Sequence, residues 1–150
     1  MKNKIHKYDF LVVGAGLIGA LAALALVQKK FKVLVIDKKN NILRDNRTLA
    51  VNANSIDFLQ QLGIWNKLKS NPQPIDKIFI KDDINKKPLI FENDHESMGN
   101  VIFNKEIYAL AKKKLLELKI LENDKNFEVN DLSPNKAIYI NKKNYVFKKI

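Results

Sequence analysis

The division between apolar and polar positions is sharpest in the first third of the chain. Phe10 to Val13 is an uninterrupted apolar run that breaks at Gly14-Ala15-Gly16-Leu17-Ile18-Gly19; helix formers then continue to Lys29. A second apolar run, Val33 to Ile36, closes on Asp37. Short continuous apolar runs bounded by turn signals read as strands buried on both faces. The order is therefore strand, glycine turn, helix from about Leu17 to Lys29, strand, acid. Lys29-Lys30 stands where a glycine would commonly end the helix; if Lys30 adopts positive φ there, the cost is about 1 kcal/mol.

Later segments carry weaker patterns. A helix is predicted from about Ser55 to Leu62, capped by Asn54 or Ser55, with Ile56, Leu59 and Leu62 on one face and Gly63 as its stop. Alternation from Ile75 to Lys81, followed by Leu89-Ile90-Phe91, predicts a hairpin in a different sheet from the one that opens the chain. Gly99 to Asn104 reads as a short strand and Lys105 to about Glu117 as a helix. Phe127 to Val129, Ala137 to Ile140 and Tyr145 to Ile150 read as an antiparallel meander, turned at Ser133-Pro134-Asn135 and Lys142-Lys143-Asn144. Met1 to Lys7 reads as a polar tail.

The glycine spacing supplies candidate chemistry. Gly14 permits a tight turn off the strand, Gly16 lets backbone approach a pyrophosphate, and Gly19 lets the helix lie close on the strands. Phosphates then meet the free N–H groups and positive dipole end of the helix. Asp37 lies 18 residues beyond Gly19, near the spacing of about 20 expected of an acid that accepts from a ribose hydroxyl. A membrane or signal segment is the rival reading, because Leu11 to Val27 is seventeen residues without a charge. Three glycines in its first half, Asp9 beside it and its short length oppose that reading.

Composition narrows the function classes. The 150 residues and 46% apolar content fit one globular domain. Without cysteine, neither a disulfide framework nor a thiolate metal site can form. The net charge of +11 rests on scattered lysines, with only Arg44 and Arg47 as arginines. Nucleic-acid readers favour arginine and interleaved aromatics, so no nucleic-acid partner is expected. Lys112-Lys113-Lys114 and the lysines of Lys136 to Lys149 read as solvated faces, with attraction to an anionic membrane surface left open. His6 and His95 are isolated, so no metal site is expected. Asp94 and Glu96 read as loop solvation, and Trp65 as a packing residue at a helix end. Arg47 reads as a phosphate contact, with an ion pair to Asp45 as the alternative.

One further block carries a family likeness. The glycine turn and acid are followed by Arg47-Thr48-Leu49-Ala50, Ser55 to Trp65, Pro74-Ile75 with a hairpin, and Val101-Ile102-Phe103-Asn104 before a Leu-rich helix. This order resembles the N-terminal part of the flavin-dependent aromatic hydroxylases of ubiquinone biosynthesis, the 2-octaprenyl-6-methoxyphenol hydroxylase type. The resemblance implies an α/β fold: a Rossmann-like FAD-binding βαβ unit with an inserted antiparallel β-sheet segment, like para-hydroxybenzoate hydroxylase, in truncated form. Its implied boundaries are 1–74 for the start of the FAD-binding domain, 75–98 for a substrate-domain hairpin, and 99–150 for the incomplete return.

The resemblance also implies FAD as cofactor, NADPH as co-substrate, and an oxygen inserted into a polyprenyl-phenol ring. Gly14, Gly16 and Gly19 would hold the pyrophosphate, Asp37 the ribose, and Arg47 and Asn104 further parts of the cofactor. Other ubiquinone-biosynthesis proteins are implied as partners, and a cytoplasmic location with peripheral membrane contact. Two positions depart from the family pattern: Asp37, where glutamate is more common, and Phe103, where an acid is common. The Asp-Gly and Gly-Asp segments expected downstream are not within the 150 residues. Two alternatives stay open: an NAD-dependent dehydrogenase, which Asp37 alone permits, and a remnant without catalysis.

Overall fold

The computed structural model describes residues 5–38, 46–81, 87–92, 97–128 and 132–150. The chain forms two compact units, Met1–Leu43 with Tyr108–Ile150, and Arg44–Ile107.

The first unit is built on β1 (Ile5–Val13), α1 (Leu17–Gln28) and β2 (Val33–Asp37). β1 and β2 run parallel, with Leu11 beside Leu34 and Val13 beside Ile36. The opening apolar segment is therefore strand, turn and helix, and no described helix is long and apolar enough to cross a membrane. Val33 to Ile36 are all buried, as expected of a strand covered on both sides. Leu34 and Ile36 join Leu11, Phe127, Ile140, Tyr145 and Phe147 in one apolar cluster. Alternation sends Val33 and Val35 to the opposite face. There α1 packs, presenting Ala20, Ala23 and Leu24 as its buried side.

Lys30 takes φ 68°, as its position after α1 requires. Its N–H donates to the Val27 carbonyl and that of Phe31 to the Leu26 carbonyl, which satisfies the last helical acceptors. Lys119 ends α3 (Asn104–Glu117) in the same way, at φ 55°.

Beyond α3 the sheet departs from sequence expectation. A three-residue strand, β8 (Leu121–Asn123), pairs in parallel with β2 and was not signalled by any periodicity. β9 (Ala137–Ile140) and β10 (Lys143–Lys149) form the expected hairpin, but β10 also runs parallel to β1 from Ile5 to Phe10. The expected meander is thus partly absorbed into one five-stranded sheet, β8-β2-β1-β10-β9. His6 lies in β1 rather than in a tail, its ring 5.4 Å from Tyr145. Of the expected first strand of the meander, Phe127 and Glu128 lie in no strand, and Val129 lies outside the described residues.

The β9–β10 turn is Asn141-Lys142, one residue earlier than expected, with both residues at positive φ. A two-residue hairpin turn matched to strand twist requires that geometry, and Asn tolerates it well. Asn141 Nδ2 donates to Glu122 Oε2 at 3.0 Å and to the Asn123 carbonyl at 3.2 Å, so the turn after β9 reaches β8 at the other end of the sheet order.

In the second unit, β3 (Thr48–Asn52), β7 (Gly99–Phe103) and the two-residue β4 (Gln73–Pro74) make an antiparallel sheet in the order β3-β7-β4. α2 spans Ala53–Gln61, and its cap is Asn52 rather than Asn54 or Ser55. The Asn52 side chain accepts from the Ser55 N–H at 2.9 Å, the N3 geometry of an Asx cap. Gly63 stops the helix at φ 63°, with Ile64 buried behind it and Trp65–Lys67 in a short 3-10 turn. β5 (Lys77–Ile80) and β6 (Leu89–Glu92) form the expected separate hairpin, closed by a Lys77–Glu92 ion pair at 2.6 Å. All eight of its residues are exposed, including Phe79 and Phe91.

Two outcomes follow for stability. Lys30→Gly should stabilise the chain by about 1 kcal/mol, since glycine adopts this conformation without the steric cost of a Cβ; a denaturant midpoint that does not rise contradicts this. Asp9 accepts from Lys148 at 2.6 Å and from the Lys32 N–H at 2.9 Å, and these bonds, the lysine's foremost, hold its carboxyl below the usual range. A lowered folded-state value gives stability that is present above the unfolded carboxylate's pKa and is lost as pH falls through the folded one. Asp9→Asn should therefore lower stability at pH 7 and shrink the further loss on acidification, read by thermal melts from pH 7 to 3.

Candidate functional site

The end of β1 is turned by Gly14 at φ 96°, a conformation that L side chains rarely adopt. Its N–H donates to the Ile36 carbonyl at 2.8 Å, continuing the β1–β2 ladder into the turn. Gly16 caps α1 in extended geometry, with no side-chain cap and no acid in the first helical turn. The N-terminal N–H groups thus meet neither a capping side chain nor a first-turn carboxylate, which suits an external anion. A Cβ at Gly16 would meet nothing within 4 Å, so the space in front of it is open.

Gly19 answers a different requirement. A Cβ there would overlap the Gly14 carbonyl oxygen and stand 3.5 Å from Val12 Cγ1. Its absence lets α1 close onto the turn and β1.

Asp37 faces the same turn. Its Oδ2 accepts the Ala15 N–H at 2.7 Å, across 22 residues of sequence. A carboxylate at the end of β2 is thereby fixed beside the glycine turn, where a vicinal diol following the phosphates would fall. Tyr108 of α3 is also near: it is only 4% exposed, and burial first, then the charge of Asp37, raises its phenol above the ordinary value. The phenol therefore keeps its proton at neutral pH and can act as a donor. Asn123 pairs with Asp37 in the β2–β8 register.

Arg47 and Asn104 belong to the second unit. The Asn104 N–H donates to the Arg47 carbonyl at 3.0 Å, because β3 and β7 pair Thr48 with Phe103 immediately beyond. Arg47 is exposed, whereas Asn104 is buried at the start of α3. Lys105 Nζ lies 4.9 Å from the Phe103 ring centroid and donates to Asn46 Oδ1 at 3.2 Å. The six residues singled out from sequence thus form two groups: the glycines with Asp37 in one unit, Arg47 with Asn104 in the other.

Asp45, the alternative partner of Arg47, lies outside the described residues, as do Asp94, His95 and Glu96. Among the described residues no three His, Asp or Glu side chains converge as a metal site would require. A cleft of about 540 Å³ opens beside β9, flanked by Phe127, Tyr139, Lys136 and Asp124, but neither the glycine turn nor Asp37 lines it. Tyr108 and Asn123 were not legible as site residues. Tyr108 reads as one more inward position of α3 with Ala111 and Leu115, and Asn123 ends a strand too short to show a period.

Comparisons with known proteins concern the family and the fold. Residues 7–136 match the family model described as FAD binding domain. The ubiquinone biosynthesis monooxygenase COQ6, mitochondrial, of Caenorhabditis elegans is 28% identical over 147 residues, covering 88% of this chain and 33% of the relative. Its namesake in Dictyostelium discoideum is 24% identical over 149 residues, covering 84% and 30%. The chain therefore spans about a third of the length of the curated relatives it matches. Among solved structures, a mutant of PqsL from P. aeruginosa superposes with TM-score 0.69 at 14% identity, over 95% of this chain and 41% of that one. A tetrameric 2-methyl-3-hydroxypyridine-5-carboxylic acid oxygenase gives 0.66 at 15%, over 94% and 36%. CtdE in complex with FAD gives 0.62 at 18%, over 95% and 38%. At these identities the structural likeness concerns the fold.

The two glycines of the turn should separate in experiment. Gly19→Ala should destabilise the fold by about 1–3 kcal/mol, because backbone must move to admit the methyl group. Gly16→Val should change stability by less than about 1 kcal/mol, since its side chain enters open space, while obstructing an incoming phosphate. Denaturant unfolding of both variants checks the contrast, and equal losses would contradict it.

Proposed function

The chain belongs to the FAD binding domain family, and from that premise we infer that it is the cofactor-binding front part of an FAD-dependent monooxygenase that hydroxylates a polyprenylated phenol in ubiquinone biosynthesis. NADPH is the proposed reductant. The observation that carries the flavin assignment is Asp37 held at 2.7 Å from the Ala15 N–H, one strand over from an uncapped helix start with open space at Gly16. The ubiquinone-pathway assignment is supported by the two COQ6 relatives.

The residues present fit the cofactor. The first turn of α1 would receive the pyrophosphate through backbone N–H groups, with Gly16 leaving room for the oxygens. Asp37 would accept from the adenosine ribose, and Arg47 would offer its planar fork to a phosphate or to the ribityl chain. Asn104, at the start of α3, would add a neutral polar contact. When bound, the flavin supplies the electron transfer and oxygen chemistry, so this chain needs no nucleophile or general base of its own. What its residues do is bind, orient and fix the dinucleotide end. The polyprenyl substrate implies work at a membrane surface, and the lysine excess of the chain suits peripheral contact with anionic lipid.

Titration of FAD into the purified chain should quench flavin fluorescence saturably, with NADH binding at least tenfold more weakly. Asp37→Ala should weaken FAD by about tenfold, the loss of a charge-assisted hydrogen bond worth about 1.5 kcal/mol. Preference for NADH, or no FAD binding, would overturn the assignment.

A further inference from the structure

Asn123 closes β8 directly beside Asp37 and is polar where a strand gains most from a β-branched or aromatic side chain. Its backbone is accounted for: its carbonyl accepts from Asn141 Nδ2 at 3.2 Å. Its side-chain oxygen is not. Oδ1 is buried and, among the described residues, has no hydrogen-bond partner. Such an orphaned acceptor costs the folded chain stability, whereas an apolar residue of similar shape would not. The residue as a whole is only part-buried.

Register fixes which way this side chain lies. In a parallel pair, facing residues share a side of the sheet, so Asn123 lies on the same face as Asp37, one strand spacing of about 4.8 Å further from the glycine turn. That is the face on which α1 packs, since Val35 and Asp37 alternate with Leu34 and Ile36 of the apolar cluster. A nucleotide whose phosphates meet the start of α1 and whose sugar meets Asp37 would next pass Asn123. An amide oxygen accepts and cannot donate, so it selects an N–H or O–H on the ligand.

We propose that Asn123 is a cofactor-selecting residue whose side-chain oxygen accepts a hydrogen bond from the adenosine end of the dinucleotide, either from a ribose hydroxyl or from the exocyclic amine of adenine. This rests on the FAD reading above and adds a specificity to it: the position rewards an amine or hydroxyl donor and penalises a carbonyl placed there. The bond to the ligand supplies what the unliganded chain lacks at Oδ1.

The test is Asn123→Leu, similar in shape and without the acceptor. Its thermal midpoint without cofactor should equal or exceed that of the unaltered chain, while its dissociation constant for FAD, by fluorescence quenching, should rise about tenfold. A purely structural asparagine would lower the midpoint and leave affinity alone, which overturns the proposal. Two FAD analogues identify the donor and keep the proposal testable should the variant fold poorly: one with hypoxanthine for adenine, one with 2′-deoxyribose in the adenosine half. The analogue lacking the donor should bind the unaltered chain about tenfold more weakly than FAD and bind Asn123→Leu no differently from the unaltered chain. If both analogues bind the unaltered chain as FAD does, the assignment falls. Equal FAD affinity in variant and unaltered chain overturns the role of Asn123 alone, whereas no FAD binding by the unaltered chain removes the functional reading with it.

Discussion

The hydrogen bond from the Ala15 N–H to the Asp37 carboxylate is the contact on which the site depends. It joins the turn after β1 to the end of β2, beside the open space in front of Gly16. Three separate constraints converge to make it. Gly14 turns the chain at positive φ, Gly19 lets α1 press against that turn, and the parallel register of β1 with β2 carries Asp37 to the same level. Had any one of these failed, the carboxylate would stand at the sheet end without a defined relation to the helix start.

The same register explains why the core is organised around β2. Val33 to Ile36 are buried on both faces, with α1 on one side and the aromatic cluster of β1, β10 and the Phe127 region on the other. Burying such a strand keeps its end fixed, so a side chain one residue beyond the buried run is held more firmly than one on a surface loop. Asn123 gains its position in the same way, from pairing with Asp37 rather than from local structure.

The βαβ unit was legible because its signals are local and redundant: two apolar runs, three glycines with distinct tasks, and helix formers between them. Lys30 was legible too, since a helix ending without glycine leaves positive φ to whatever residue follows. The C-terminal third was harder to read. Tyr145 to Ile150 carries the same alternation whether it pairs with β9 alone or also with β1, and only long-range pairing decides. The turn at Asn141-Lys142 was displaced by one residue because four consecutive polar residues, Asn141 to Asn144, offer equivalent turn chemistry. Arg47 was legible as a phosphate contact and Asn104 only through the family likeness, but their meeting through the Arg47 carbonyl depends on the β3–β7 register, which no local pattern encodes.

The central claim is that the turn from Gly14 to Gly19 receives the diphosphate of a flavin dinucleotide while Asp37 holds its sugar. Amide chemical shifts of the nitrogen-15-labelled chain, recorded on addition of FAD and separately of FMN, test this most directly. FAD should move the resonances of Gly14 to Ile18 and of the residues flanking Asp37, and FMN, which lacks the adenosine half, should leave those flanking Asp37 in place. Shifts that cluster elsewhere, or that are the same for both flavins, would contradict it.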